Sequence, residues 1–204
     1  MTVTGRRLRE HQMRRELILE SAKTLFEEKG FDQTTVDEIA AVAELGKGTI
    51  YSYFKSKEEI FIAVLESGLE VLEKRMALAV EQETSAIAIL YRLYDTFISY
   101  HQEKKGFIET LFVQVDQQLF LRLGGLVSGL KSKAEVWRDL IRSVLQKGIE
   151  QGEFKQFDAE KMSQIIIGMI IGIIVQHEMG QTDIDLVDYR SLVFQLTLDG
   201  LEKK

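Results

Sequence analysis

Thr34-Thr35-Val36-Asp37-Glu38-Ile39-Ala40-Ala41-Val42-Ala43-Glu44-Leu45-Gly46-Lys47-Gly48-Thr49-Ile50-Tyr51-Ser52-Tyr53-Phe54-Lys55-Ser56-Lys57 holds two short helical patterns with almost no connection between them. In the first, Val36, Ile39, Ala40 and Ala43 recur at three- and four-residue intervals. In the second, Ile50 and Phe54 lie one turn apart, which leaves Gly48, Thr49, Ser52 and Tyr53 to face elsewhere. A helix that buries only two large side chains is too short to stand alone. The pattern therefore predicts a helix held in place by its neighbours, the arrangement of a helix-turn-helix.

Working outward, Thr34 and Thr35 can each cap the first of these helices, and Thr35 with Glu38 three residues on makes a capping box. The free N–H groups at such a helix start also suit a phosphate. Upstream, Leu17, Ile18, Ala22, Leu25 and Phe26 predict a helix from about His11 to Lys29, which Gly30 ends by taking a left-handed conformation. Residues 1 to 10 carry no periodicity and read as a flexible basic arm. Downstream, Ser56 is a cap with Glu59 in the box position. The helix it starts, with Ile60, Phe61, Val64, Leu65, Leu69 and Leu72, extends past Leu78 and joins two domains.

The formal net charge of −6 would ordinarily argue against a nucleic-acid partner. It hides a gradient. Residues 1 to 15 hold Arg6, Arg7, Arg9, Arg14 and Arg15 against Glu10, a local +4 that leaves −10 for the remainder. Only the amino-terminal end is suited to DNA, and its arm fits along a phosphate backbone or in a minor groove.

Beyond residue 80 the periodicity stays close to 3.6. Ala86, Ile87, Leu90, Tyr91, Tyr94, Phe97 and Ile98 form one amphipathic run. A second run spans Phe107 to Leu130, with an end blurred by Gly124, Gly125 and Gly129; a third holds Val136 to Ile149. Asp158 caps the next helix, whose centre, Ile165 to Val175, at eleven residues is too short to span a bilayer. A last helix covers about Ile184 to Leu198. With no Pro and no strand alternation, the expected fold is all-α, with nine or ten helices. The expected division is an arm over 1–10, a three-helix headpiece over 11–56 and a larger helical domain over 57–204.

The absence of Cys excludes disulfides, thiolate-bound zinc and thiol catalysis, and His11, His101 and His177 share no spacing with a carboxylate that would hold a metal. No phosphate loop or nucleophile elbow is present, so neither an enzyme nor a cofactor is expected. No apolar stretch follows the amino terminus, which makes the cytoplasm the expected compartment and a membrane an unexpected partner.

Ile18-Leu19-Glu20-Ser21-Ala22, Leu25-Phe26, Lys29-Gly30-Phe31, Thr34-Thr35-Val36, Ile39-Ala40, Lys47-Gly48-Thr49-Ile50-Tyr51 and Tyr53-Phe54-Lys55-Ser56-Lys57-Glu58 together closely resemble the amino-terminal signature of TetR-family transcriptional regulators, over residues 13 to 62. The resemblance implies a homodimeric repressor that binds a palindromic operator in double-stranded DNA and leaves it when a small molecule enters the carboxy-terminal domain. Carried onto this chain, it places the carboxy-terminal end of the arm, with Arg6, Arg7 and Arg9, and Thr35 against DNA phosphates. It puts Lys47, Gly48 and Thr49 at the start of a recognition helix in the major groove, and Tyr51, Ser52 and Tyr53 on further backbone or base contacts. Lys57 would hold a phosphate. Two positions depart from the family pattern. Glu44 stands where Gly is usual, and a left-handed Glu44 costs about 1 kcal/mol unless Gly46 shifts the turn. Gly46 stands where Ser or Thr usually caps the recognition helix.

In the larger domain, Tyr91, Tyr94, Phe97, Phe112, Phe120 and Trp137 are more aromatic residues than a slim bundle requires. Taken together they suit the lining of an apolar pocket, with tyrosine hydroxyls or Gln117 as polar anchors, for a hydrophobic or amphipathic effector. Dimerisation falls to two helices, one with Leu140 and Val144, the other with Ile165, Gly168, Met169, Gly172 and Ile173. There two glycines four apart allow close helix approach, and the isoleucines exceed what one face can hide. Two other readings keep part of this pattern: a helical acyl- or lipid-binding transport protein that binds no DNA, and an activator using the same headpiece. The first leaves the arginines of the arm and the segment from Lys47 to Lys57 without a purpose.

Overall fold

The computed structural model describes residues 3–104, 123–178, 180 and 185–201. Among the described residues there are eight α-helices and one single-turn 3-10 helix, and no sheet. The helices are α1 (Val3–Gln33), α2 (Val36–Val42), α3 (Lys47–Tyr53), α4 (Lys57–Glu81), α5 (Ala86–Glu103), α6 (Ser128–Glu150), α7 (Ala159–Glu178) and α8 (Leu186–Leu201), with the 3-10 turn Gly124–Val127 before α6. Most of the expected run from Phe107 to Leu130 lies outside the described residues. The chain divides into two compact units, residues 1–68 with 114–130 and residues 69–113 with 131–204. The first division falls inside α4, twelve residues beyond the expected limit at 56.

In the first unit, α1 begins at Val3 and not near His11, so residues 3–10 are helical where a flexible arm was expected. The physical reason is the absence of any breaker between Arg6 and Lys29, together with an exposed ion pair at i,i+4 from Arg6 Nε to Glu10 Oε1, 2.9 Å. Gly30 interrupts the helix where expected, with φ 79° and ψ 169°. The core is built by Ile18, Ala22, Phe26, Phe31, Ile39, Ile50, Ile60, Phe61 and Leu65, all nearly or fully buried. Phe26, Phe31 and Phe61 pack ring on ring with centroids 4.7 to 5.8 Å apart. Leu17, expected on this buried face, is exposed, and Leu19 is buried instead.

In the second unit, α8 packs on α5 and on α7. Glu153, in the loop after α6, reaches the start of α5, where its carboxylate accepts from Ser85 Oγ at 2.8 Å, from the Ala86 amide at 3.0 Å and from the Ile87 amide at 3.2 Å. Partial burial works against the charged form. The Ser85 hydroxyl and the two amides outweigh it, and the carboxyl titrates below its ordinary range. Gly148 is required at this junction, since a Cβ there would stand 2.3 Å from the Phe154 ring and 2.8 Å from Ala86 Cβ. The helix α6 starts eight residues before Val136, after the 3-10 turn. Asp158 Oδ1 caps α7 as expected, accepting from the Lys161 amide at 3.0 Å. That helix has 20 residues, so by length and composition it can cross a bilayer, and only 22% of its most apolar window is buried. The expectation counted only its centre, while polar turns at both ends extend it.

Candidate functional site

The face that α3 presents is set by what fixes its two ends. The preceding helix α2 starts at Thr35, whose backbone is extended and whose side chain and amide complete the capping box with Glu38. The Lys29 ammonium and the Thr35 hydroxyl and amide also hold the Glu38 carboxyl down at about 2. Buried Thr34 donates its hydroxyl to the carbonyls of Gly30 at 2.8 Å and Leu25 at 3.2 Å, so it locks the exit of α1, while exposed Thr35 serves the cap. The turn between α2 and α3 contains a left-handed Glu44 with φ 53°, and Gly46 caps α3 without a side-chain bond. The strain expected at Glu44 is therefore present. Gly46 does not relieve it.

Between these anchors Ile50 and Phe54 are buried, and Lys47, Gly48, Tyr51 and Ser52 are exposed. Thr49 is half-buried. The Lys47 ammonium lies 2.7 Å from Asp37 Oδ2, a solvent-exposed pair that raises the Lys47 pKa. Such an exposed pair is cheap to open, so Lys47 stays free to turn to a phosphate. A Cβ on Gly48 would meet nothing within 4 Å, which means that no packing need of this chain demands glycine there. The Ser52 hydroxyl is turned onto its own helix, donating to Thr49 O at 2.6 Å. Tyr53 is half-buried, its ring 4.4 Å from that of His11. This contact brings the basic start of α1, with Arg6, Arg7 and Arg9 all exposed, to the carboxy-terminal end of α3. The site is thus an exposed polar helix face, with Lys47 at its start and the basic start of α1 near its end.

Lys57 is placed differently from the expectation. Its Nζ donates to the carbonyls of Phe31 (2.6 Å), Thr34 (2.8 Å) and Asp32 (3.3 Å), and it lies 4.2 Å from the centre of the Phe31 ring. Three donors meet three carbonyls at the end of α1, where helix ends leave such groups unanswered. Lys57 is a structural clasp of the headpiece.

The signature of bacterial regulatory proteins of the tetR family matches residues 18–64. Over that segment the chain carries the amino-terminal domain of TetR-family transcriptional regulators. An uncharacterised HTH-type transcriptional regulator of Bacillus subtilis, YhgD, is 28% identical over 197 residues, which cover 92% of this chain and 96% of that one. The fatty acid metabolism regulator protein of the same organism is 24% identical over 191 residues, 92% and 95% of the two chains. Among solved structures, the transcriptional regulator FadR from Bacillus subtilis in complex with stearoyl-CoA superposes with a TM-score of 0.80 at 24% identity, over 91% of this chain and 98% of that one. The likeness covers both units, so the shared fold extends beyond the headpiece.

In the second unit, Tyr94, Phe97 and Trp137 come together with Leu90, Ile166 and Ile170 around an apolar cavity of about 40 Å³. The Trp137 indole stands edge-on to Phe97, with centroids 5.9 Å apart. Tyr94 is buried and donates its hydroxyl to Leu186 O at 2.9 Å; burial first, then the nearby Asp95 carboxylate, pushes that phenol up to about 12. It is spoken for as a polar anchor. Tyr91 does not join the cavity. It lies half-buried in an outer groove with Arg75, Arg92 and Arg190, under the Arg190 guanidinium at 5.1 Å, because three residues before Tyr94 is about 60° round the helix. Arg92 pairs at the surface with Glu83 at 2.6 Å. Phe112, Gln117 and Phe120 lie outside the described residues.

Of the residues assigned to dimerisation, Val144 is buried in its own unit beside Ile141 and Leu145 and is not available to a partner. Its neighbour one turn earlier, Leu140, is half-exposed. On α7, Ile165, Gly168, Met169 and Gly172 make an exposed to half-exposed stripe at three- and four-residue steps, and Ile173 flanks it. The opposite side, with Ser163, Ile166 and Ile174, is buried. Apolar residues occupy both sides of this helix.

Proposed function

We propose that this regulator is a homodimeric repressor that binds a palindromic operator through the exposed face of α3 and is released when a hydrophobic effector enters its helical domain. The observation that carries the reading is the pairing of an outward Lys47-Gly48-Thr49 start of α3, with open space at Gly48, and an acidic chain whose positive charge gathers on α1. Phosphate neutralisation from Arg6, Arg7, Arg9 and Lys47 supplies affinity, and Thr49, Tyr51, Ser52 and Tyr53 supply contacts to bases and backbone. The Thr35 end of α2 offers a further phosphate seat. The outward stripe of α7 meets its copy across a two-fold axis, and this relates two α3 helices for two half-sites.

For the effector, the relatives direct attention to acyl thioesters. The solved regulator from Bacillus subtilis is bound to stearoyl-CoA, and a relative matched along its length is a regulator of fatty acid metabolism. In this chain the aromatic cavity at Tyr94, Phe97 and Trp137 supplies apolar walls for such a chain. At about 40 Å³ it must widen to admit one, which links ligand entry to movement of the helices that line it. Fluorescence anisotropy of the full-length protein on labelled DNA from upstream of its own gene tests the reading. Salt-sensitive binding that micromolar palmitoyl-CoA abolishes is expected. Absence of binding at low salt, or binding that the thioester leaves unchanged, refutes operator function or effector class respectively.

A further inference from the structure

Trp137, which lines the cavity, carries a polar atom with nothing to answer it. The Trp137 Nε1 is buried and makes no hydrogen bond, although a buried indole N–H ordinarily finds an acceptor. Every other residue around the cavity except Tyr94 is aliphatic, methionine or phenylalanine, and the Tyr94 hydroxyl already donates to Leu186 O. A trapped water is a poor remedy, because an ordered internal water needs two to four polar partners and this lining offers at most two, the indole N–H and the acceptor side of the Tyr94 hydroxyl. His177 Nδ1 is also buried without a partner, but that residue does not line the cavity.

An N–H donor in an apolar slot selects for an acceptor joined to an apolar body. It rejects an ammonium, which only donates, and gives nothing to a plain hydrocarbon. Resting on the reading that the effector enters this cavity, we propose that Trp137 Nε1 donates a hydrogen bond to a carbonyl oxygen of the effector and so makes the regulator selective for acyl over alkyl compounds. Phe97, edge-on to the indole at 5.9 Å, fixes the ring, so the donor's position is set before the ligand arrives.

The test compares palmitoyl-CoA with S-hexadecyl-CoA, a thioether of equal chain length without the carbonyl, by calorimetry on the full-length protein. Because Trp137 is the sole tryptophan, its fluorescence reports occupancy of the cavity directly. Wild type should bind the thioester about tenfold tighter than the thioether, the weight of one buried hydrogen bond. Replacing Trp137 by 3-benzothienylalanine, which keeps the ring shape and lacks the N–H, should erase that preference and leave thioether affinity unchanged. Trp137→Phe should do the same at some general loss of affinity. Equal binding of both ligands by wild type, or a preference that survives in the benzothienyl protein, overturns the proposal alone. If neither ligand binds wild type, the acyl-effector reading falls and takes the anchor with it.

Discussion

The ammonium of Lys57, at the start of α4, lies 2.6 Å from the carbonyl oxygen of Phe31 and 4.2 Å from the centre of the same residue's ring. The bond spans 26 residues and joins the end of α1 to the start of α4. Both helices frame α2 and α3, so the clasp fixes the setting of the exposed face of α3.

Replacing Lys57 by Ala should therefore unfold the headpiece more easily. Charge-assisted bonds to three carbonyls, partly open to water, are worth about 1–3 kcal/mol in total. Urea unfolding followed by circular dichroism measures the loss. A phosphate contact predicts the opposite pattern, unchanged stability and a salt slope of operator binding reduced by about one.

Gly48 gives the complementary case, a residue that packing does not need. Gly48→Ala adds a methyl group into open space and improves helix propensity by about 1 kcal/mol, so thermal stability should stay level or rise. If the backbone at Gly48 approaches DNA, operator affinity should nonetheless fall by about tenfold or more. Anisotropy titrations on the stable variant check this. Unaltered affinity would remove Gly48 from the interface.

The left-handed Glu44 stores strain that glycine would relieve. Glu44→Gly removes about 1–2 kcal/mol of backbone cost and returns about 0.5–1 kcal/mol through chain entropy, for a small net gain in melting temperature. It also deletes a negative charge next to α3, so non-specific DNA binding at low salt should tighten. A lower melting temperature would mean that the Glu44 side chain contributes more than its backbone costs.

The depressed Glu38 carboxyl makes one part of headpiece stability depend on acid. A carboxyl whose folded pKa lies near 2, below its ordinary 4.5, contributes stability that is complete above pH 4.5 and is lost as pH falls toward 2. The melting difference between wild type and Glu38→Gln should accordingly be constant from pH 7 to about 5 and shrink below it. A difference that persists at pH 2 would show that the capping geometry, not the charge, carries the effect.

How much of this was legible in the sequence depends on the range of the interaction. Thr35 with Glu38, Gly30 and the buried spacing of Ile50 and Phe54 are local, and each stands where the sequence placed it. The left-handed Glu44 was raised only by the family resemblance, with a turn shifted by Gly46 as the alternative, and the structure holds the left-handed form. Lys57 was misread because nothing in its own stretch shows that the side chain returns to residues 31 to 34. Val144 and Tyr91 failed for a related reason. Helical periodicity groups residues on a stripe, but which edge of the stripe meets the core is decided by helices distant in sequence, here putting Val144 inside and Tyr91 in an outer groove.

The α7 stripe offers the sharpest check of the dimer. A helix apolar on both sides, of which Ser163, Ile166 and Ile174 are already buried, leaves Ile165 about half exposed at 52% beside Gly168 and Gly172. A Cβ at either glycine meets nothing within 4 Å in the single chain, so a larger side chain starts into open space there. It would, however, hold a partner helix away at the point where close backbone approach matters. Gly168→Leu should keep its helical circular dichroism, gain helix propensity of about 0.8 kcal/mol, and sediment as a monomer at concentrations where wild type sediments as a dimer. Operator affinity should drop with it, because a lone α3 reads one half-site and loses the benefit of a second, linked contact. A Gly168→Leu protein that remains dimeric would move the interface off this stripe, and one that becomes monomeric with undiminished operator affinity would break the link between dimerisation and DNA binding.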